Sequence, residues 1–243
     1  GTFCKDLFIV EFVETTFAPF TINAEWASLY GGPDFETAND ISFDNNGNLY
    51  IVGSGTANTP LQPQSGSFNG TKGNGLILKF SYPDRALLWA SRIGSVTGGD
   101  EIIAVATDDK NYVYITGIVK GDSLPVVNPA FNTSFSGGGS DGFVTIFDSA
   151  NAIFSSTYYG GPGKDQGLAI AVSKGRGVFA TGSTMSSGNM IINPGASAYI
   201  DSTFNGGGYF GDLYIFGIDR SNGTGFWATY WGGNHDDYPL DIV

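Results

Sequence analysis

The sequence predicts an all-β fold, a β-propeller built from four-stranded antiparallel blades. Three observations lead to this prediction. The composition is 41% hydrophobic and 14% aromatic with 37 glycines among 243 residues, which excludes a disordered chain and disfavours a helical bundle. A segment that begins with tryptophan and ends in Gly-Gly returns along the chain, and so does a segment that resembles a β-hairpin. Repeats that each hold several short strands are typical of propellers.

Each repeating unit begins with a predicted hairpin. Its second strand is the segment 48–53, which returns as 112–117 and 177–182 and ends each time in a glycine, namely Gly53, Gly117 and Gly182. An apolar residue stands twelve positions before each of these glycines. The turn between is clearest at Asn46-Gly47, because Asn-Gly supplies the positive φ angles of a tight hairpin. Each copy therefore holds two antiparallel strands.

The third predicted strand of each unit begins with a polar residue, which is Asp6, Asn74, Asp141 or Asp212. Apolar residues occupy the second and sixth positions after this polar start in all four copies. That spacing places the apolar residues on one face of a strand, since side chains alternate with period two. These segments are therefore predicted to be half-buried strands.

The fourth strand begins with Trp26, Trp89 or Trp227, and with Ser155 in the third copy. Successive copies lie 63, 66 and 72 residues apart, and three of the four end in Gly-Gly. Because the tryptophans recur at one strand position, we interpret them as packing between blades and not as a sugar-stacking platform.

About three and a half units fit into the chain, which we treat as one propeller region over 1–243. A Gly-rich loop before the third strand varies in length between copies, whereas the strands do not. We expect the chain to be part of a larger propeller, with a four-blade ring closed by strand exchange as the alternative. The units are a half-repeat 1–38, the repeats 39–100, 101–165 and 166–237, and the start of a further repeat at 238–243.

Charge and hydropathy narrow the range of partners. The chain has 11 Lys+Arg and 23 Asp+Glu, which gives a net charge of −12. Nucleic acid and anionic membrane surfaces both attract basic patches, so neither is an expected partner. The apolar runs are strand-sized and far shorter than the ~20 residues that span a bilayer. We therefore expect no direct membrane insertion.

Three blocks of the unit resemble a known repeat. They are WATYWGG at 227–233, GNLYIVG at 47–53 and GGSDGFV at 138–144. Together these blocks resemble the SBBP repeat, a β-propeller repeat of secreted and surface proteins of bacteria, and the likeness extends over essentially the whole chain. The chain departs from the pattern at Ser155, at Gly94-Ser95 and at Asn74.

The resemblance implies a seven-bladed propeller in a large protein of Bacteroidota-type bacteria, exported by the type IX system and linked to adhesion or gliding. It also draws attention to three Asp-Ser sequences that look like the O-glycosylation acceptors of those bacteria. The acceptor residues would be Ser123, Ser149 and Ser202. A three-residue pattern also arises by chance, so modification and coincidence remain equal alternatives here.

Acidic residues follow the Gly-Gly segment in every copy. A ring of carboxylates at one rim would bind Ca²⁺ or act as a paired acid and base in glycoside hydrolysis. The simpler interpretation is that turn carboxylates are solvated and accept hydrogen bonds from nearby backbone N–H groups. We favour this second interpretation, because the offsets from the tryptophan position differ between copies. The residues are Asp34, Asp100 with Glu101, Asp165, and Asp236 with Asp237, which follow the only histidine, His235.

The sequence thus predicts no catalytic residue, no metal ligand and no cofactor. Phe135, Tyr209 and Phe210 fall in the variable loops and are candidate contact residues. The predicted function is that of a non-enzymatic, extracellular binding or structural module whose partner is a surface protein or a glycan. The alternatives are a glycan-active enzyme or lectin that uses the acidic rim loops, and a purely architectural spacer.

Overall fold

The computed structural model describes residues 5–14, 22–95, 98–175, 177–188, 190–195 and 197–243. These residues form β-strands joined by turns and loops, and no helix among them has the length and apolar character needed to cross a membrane. In chain order the strands are β1 (Leu7–Glu14), β2 (Ile22–Tyr30), β3 (Thr37–Phe43), β4 (Leu49–Ser54), β5 (Gly75–Phe80), β6 (Leu87–Ile93), β7 (Glu101–Thr107), β8 (Val113–Val119), β9 (Asp141–Phe147), β10 (Ile153–Tyr159), β11 (Asp165–Ser173), β12 (Gly177–Thr184), β13 (Asp212–Ile218) and β14 (Gly225–Trp231).

The strands form four antiparallel sheets in which sequence neighbours pair. Sheet I is β1–β2, sheet II is β3–β6, sheet III is β7–β10 and sheet IV is β11–β14. The predicted all-β fold of four-stranded antiparallel blades is confirmed. The strands that begin at Asp141 and Asp212 lie third in their sheets, directly after the hairpin pair.

The first strands of sheets III and IV each pack on the preceding sheet. Strand β7 lies against β3 and β4, and β11 lies against β7 and β8. An apolar cluster fills the space between sheets II and III, where Tyr50 and Val52 of β4 meet Val105 of β7. A second cluster lies between sheets III and IV, and a third joins Leu7 and Ile9 of sheet I to sheet II. Each sheet is therefore stabilised by burial against its neighbour.

Two tryptophans of the fourth strands, Trp26 and Trp89, belong to or pack against these clusters. Trp89 is fully buried, and its ring centre lies 5.4 Å from that of Phe147 in sheet III. Trp26 makes the equivalent contact with Phe80 of sheet II at 5.8 Å. Trp227 instead contacts Phe179 of its own sheet. Two of the three tryptophans thus pack between adjacent sheets.

A close backbone approach explains the glycine that ends each hairpin block. The pairing of β7 with β8 shifts register between Ile102 and Ala104. A Cβ atom on Gly117 would lie 2.0 Å from the carbonyl oxygen of Glu101, so no larger residue fits beside this bulge. Gly53 and Gly182 meet the same obstacle at 1.9 Å and 1.8 Å.

Candidate functional site

Acidic side chains hold the turn that follows the fourth strand at one rim of the molecule. In every copy a carboxylate oxygen accepts a hydrogen bond from the N–H of the second residue of the Gly-Gly position. We call these acceptors the junction carboxylates. The bonds are Gly32 N to Glu36 Oε2 at 3.0 Å, Ser95 N to Asp100 Oδ2 at 2.8 Å, Gly161 N to Asp165 Oδ2 at 2.8 Å and Gly233 N to Asp237 Oδ2 at 2.8 Å.

A second acidic residue faces each junction carboxylate in three of the four copies. It is the aspartate that precedes or begins the third strand, namely Asp6, Asp141 or Asp212. At the third junction, a Cβ atom on Gly160 would lie 2.8 Å from Asp165 Oδ2 and 3.0 Å from Asp141 Oδ1. The two carboxylates therefore lie close together, and only glycine fits between them. Gly31 and Gly232 occupy the same position at the first and fourth junctions.

Asp165 is the most densely bonded of the junction carboxylates. Its side chain accepts hydrogen bonds from the hydroxyl of Thr184, from Ser186 Oγ at 2.7 Å and from the N–H of Gly161. The N–H of Asp165 also donates to the carbonyl of Ser140 at 2.8 Å. Burial raises the pKa of Asp165 to about 6, although these hydrogen bonds to the carboxylate oppose the shift. Asp165 thus joins sheets III and IV.

Asp141 has fewer partners although it is fully buried. Its Oδ2 accepts a hydrogen bond from the N–H of Ser136 at 2.7 Å, whereas Oδ1 has no hydrogen-bond partner among the described residues. Burial raises the pKa of Asp141 to about 7, and the negative charge of Asp165 adds to the shift. A protonated fraction of Asp141 is therefore present at neutral pH.

The fourth junction repeats this arrangement. Asp212 Oδ2 accepts from the N–H of Asn205 at 2.8 Å, and its buried Oδ1 has no hydrogen-bond partner in the described chain. Burial raises the pKa of Asp212, and the charge of Asp237 contributes in the same direction. In both copies the strand-leading aspartate anchors the variable loop that comes before it.

Asn74 replaces the aspartate at the second junction. Its Nδ2 donates to the carbonyl of Gly55 at 2.6 Å, and its Oδ1 accepts from the N–H of Gly99 at 2.8 Å. The facing residue Asp100 also accepts from the N–H of Lys120 at 2.9 Å. This junction therefore has a single carboxylate, and the amide beside it has both a donor and an acceptor bond.

The sequence placed Asp34 in the acidic ring, but Glu36 occupies that position in the structure. Asp34 accepts instead from Thr56 Oγ1 at 2.8 Å and Asn58 Nδ2 at 2.9 Å. Glu36 is 2% exposed and also accepts from Thr59 Oγ1. Counted from the second residue of the Gly-Gly position, the junction carboxylates stand 4, 5, 4 and 4 residues away. That offset, and not the distance from tryptophan, is the signal that would have found Glu36.

The junctions supply two acidic side chains at most. In the part of the chain that the structure describes, no group of three or more His, Cys, Asp and Glu side chains comes together to hold a metal ion. Glu101, predicted for the same ring, accepts from Asn39 Nδ2 at 2.8 Å, and His235 is exposed. The acids of the rim are thus occupied by contacts within the protein.

Asp236 positions a cluster of aromatic rings at the fourth junction, in which Tyr209 and Tyr238 are exposed and Phe210 is partly buried. It accepts from the N–H groups of Tyr209, Phe210 and Gly211 at 2.9 to 3.1 Å, which lowers its pKa. The rings of Tyr209 and Phe210 are 5.0 Å apart, and that of Tyr238 is 4.8 Å from Phe210. We call Tyr209, Phe210 and Tyr238 the aromatic patch.

The other predicted site residues are scattered. Phe135 is partly buried and packs against the cluster between sheets II and III. Ser123, Ser149 and Ser202 are exposed, each in a loop or turn. Exposure leaves these hydroxyls accessible to modification, and glycosylation stays a prediction.

Comparison with known proteins adds one point about the chain. No curated protein matches it. The family model for SBBP, described as a beta-propeller repeat, matches residues 25–59. This stretch covers most of β2, the first Gly-Gly turn with Glu36, and the hairpin β3–β4. The chain thus contains a segment similar to the SBBP beta-propeller repeat, set within an all-β fold of stacked four-stranded blades.

Proposed function

We propose that this chain is a non-enzymatic binding module of a secreted or cell-surface bacterial protein. Its blades hold the rim loops rigidly, and the aromatic patch contacts a surface protein or a glycan. The observation that carries this proposal is a difference between the acidic and the aromatic residues of the rim. The acidic residues bind backbone N–H groups within the protein, whereas Tyr209 keeps 67% of its surface exposed.

The rigidity of the patch favours binding. The three N–H groups that donate to Asp236 fix the backbone of the loop before any partner arrives. A binding loop that is already ordered loses less conformational entropy on association. Lys164 lies with its Nζ 5.4 Å from the centre of the Tyr209 ring, which adds a cation–π contact from the preceding junction.

Composition and family likeness support the extracellular setting. The net charge of −12 disfavours adhesion to anionic surfaces through non-specific attraction. The SBBP match supports a propeller within a larger polypeptide, and we extend it to a seven-bladed propeller of a Bacteroidota-type bacterium. Adhesion, gliding and type IX secretion belong to the same proposal, as does glycosylation at the exposed serines.

A binding experiment on the aromatic patch tests the proposal. Glycan arrays and purified cell-surface proteins would be screened with the whole chain, and the tightest ligand measured by calorimetry. We expect Y209S combined with F210S to weaken that ligand at least tenfold. W231S is the matched control, because Trp231 is 55% exposed and lies outside the patch. Saturable binding that both variants retain would contradict the patch, and the absence of any saturable ligand would favour an architectural spacer.

A specific observation supports the enzymatic alternative as well. Asp141 and Asp165 form a carboxyl pair with raised pKa values of about 7 and about 6, as general acids require. Both residues are 0% exposed, so a sugar has no direct access to them. Release of reducing sugar from a glycan panel, abolished by D165N or by D236N, would support the enzyme and contradict our proposal.

A further inference from the structure

Sheet I differs from the other sheets at its edge. Within the described chain β1 pairs with β2 alone, whereas β5, β9 and β13 each pair on both sides. The second partner in each complete sheet is the second strand of a hairpin, namely β4, β8 or β12. The free edge of β1 is therefore the position that such a strand occupies in the three complete sheets.

The exposure of β3 marks the same position. Ile41 of β3 is 56% exposed, whereas the residues at the equivalent position of β7 and β11, Val105 and Ile170, are 5% and 7% exposed. Phe43, two residues later on the same face, is 60% exposed. In sheet III, Val105 is covered by Tyr50 and Val52 of β4 in the preceding sheet. In the complete sheets, the position over the residue equivalent to Ile41 is therefore filled by a strand equivalent to β4.

A groove lies between the free edge of β1 and the exposed residues of β3. Its walls include Leu7, Ile9 and Val10 of β1, and its floor includes Ile41, Phe43 and Ile51 of sheet II. Leu7, Ile9 and Ile51 also belong to the cluster that holds sheets I and II together. The groove is therefore continuous with an interface that the molecule already forms.

We propose that this groove is a docking site for a β-hairpin that carries the repeat's own pattern and comes from another segment of polypeptide. The second strand of the hairpin adds antiparallel to β1 through main-chain hydrogen bonds. Its aromatic and β-branched residues cover Ile41 and Phe43, as Tyr50 and Val52 cover Val105. The occupant is a hairpin because a hairpin fills this position in all three complete sheets.

A peptide taken from the chain tests this proposal. The probe is residues 101–119, which hold β7 and β8, titrated into the whole chain by calorimetry. We expect saturable binding at one peptide per chain. I41D in the whole chain, and Y114D in the peptide, should each weaken it at least tenfold. W231D is the matched control, since Trp231 is 55% exposed and lies outside the groove.

Two further measurements complete the test. Thermal melts of I41D should match those of the unmodified chain, because Ile41 is already exposed. Sedimentation of the chain alone, measured over a range of concentrations, tests whether a second copy of the chain occupies the groove. Dimers that I41D abolishes, without peptide binding, would overturn the hairpin in favour of a second copy. Peptide binding that I41D and W231D leave unchanged, or no binding at all, would also overturn the proposal.

Discussion

The second and third junctions both place a glycine beside the junction carboxylate, but they differ in the residue that faces this carboxylate. Asn74 and Asp100 face each other at the second junction, and Asp141 and Asp165 at the third. The amide of Asn74 donates from Nδ2 and accepts at Oδ1, whereas Asp141 Oδ1 is buried and has no hydrogen-bond partner within the described residues. Burying a carboxylate oxygen without a partner destabilises the folded state. The second junction avoids this destabilisation and the third does not.

Loop length explains why aspartate stands at the less favourable junction. The loop before Asn74 covers 69–73, whereas the loop before Asp141 covers 132–140. Asp141 accepts from the N–H of Ser136 in that longer loop, and Asp212 accepts from Asn205 in the longest one. Asn74 makes no such bond to its own loop among the described contacts. The comparison indicates that the strand-leading aspartate serves to hold a long loop, at the expense of an unpaired oxygen.

The largest expected effect is at the other member of the third junction. D165A removes the acceptor for Thr184, Ser186 and the N–H of Gly161, and leaves those buried donors unpaired. We expect the free energy of unfolding to fall by about 4 kcal/mol, since each unpaired buried group costs about 1–3 kcal/mol. Chemical denaturation at pH 7 measures the change.

A partly exposed aspartate, Asp34, supplies the control for D165A. D34A removes a carboxylate whose partners, Thr56 and Asn58, are accessible to water. We expect its effect to stay within about 0.5 kcal/mol, as for most surface substitutions. Equal effects of D34A and D165A would show that the junction does not hold sheets III and IV together.

The next largest expected effect is a dependence of stability on pH that arises from the carboxyl of Asp141. In the unfolded chain this carboxyl ionises near pH 4, to within about half a unit. In the folded protein its pKa is raised to about 7, so the folded state keeps a proton that the unfolded state loses. Stability therefore falls as pH rises from about 4 to about 7. We expect D141N to remove about 2 kcal/mol of this fall, measured by chemical denaturation at pH 5 and pH 8.

D212N tests the same effect of a buried carboxyl at the fourth junction. The pKa of Asp212 is also raised by burial, so D212N should flatten the same curve in the same direction. A variant D141N that remains as sensitive to pH as the unmodified chain would contradict the raised pKa of Asp141. Release of the 132–140 loop in D141A, seen as faster proteolysis there, would confirm that the aspartate anchors it, because alanine has no acceptor for the N–H of Ser136.

The sequence alone predicted much of the fold, and the reason is its periodicity. The strands recur about every 65 residues, and a glycine recurs with them because its backbone closely approaches a carbonyl of the preceding strand in every complete blade. These glycines are Gly53, Gly117 and Gly182. Such local patterns can be read from the amino-acid sequence alone. The all-β class and the four-stranded order follow from them directly.

The junctions were harder to predict because they join residues that are distant along the chain. Asp6 faces Glu36 across Gly31, and Asp141 faces Asp165 across Gly160. No spacing rule links the two members of a pair, since the variable loop changes the distance between copies. Glu36 was missed for Asp34 because both lie in one turn; the offset of four residues from Gly32, together with the hydrogen bond from its N–H, distinguishes them. Phe135 was assigned to a contact loop because loop position does not reveal partial burial.

We expect the smallest effect from the reverse substitution, asparagine to aspartate, at the second junction. N74D removes the amide donor to the carbonyl of Gly55 and places a second carboxylate beside Asp100. We expect a loss of about 1 kcal/mol at pH 8, because one hydrogen bond is removed and two like charges meet. The loss should shrink at pH 5, where the new carboxyl is partly protonated. Chemical denaturation at both pH values measures it.

The two exchanges together test the comparison between the junctions. D141N and N74D should change stability at pH 8 in opposite directions, because one removes an unpaired buried carboxylate and the other creates one. The double variant should recover most of the stability that N74D loses, since sites far apart contribute additively. If N74D leaves stability unchanged at pH 8, the amide of Asn74 is incidental. If D141N does not raise stability at pH 8, the unpaired oxygen of Asp141 carries no measurable destabilisation.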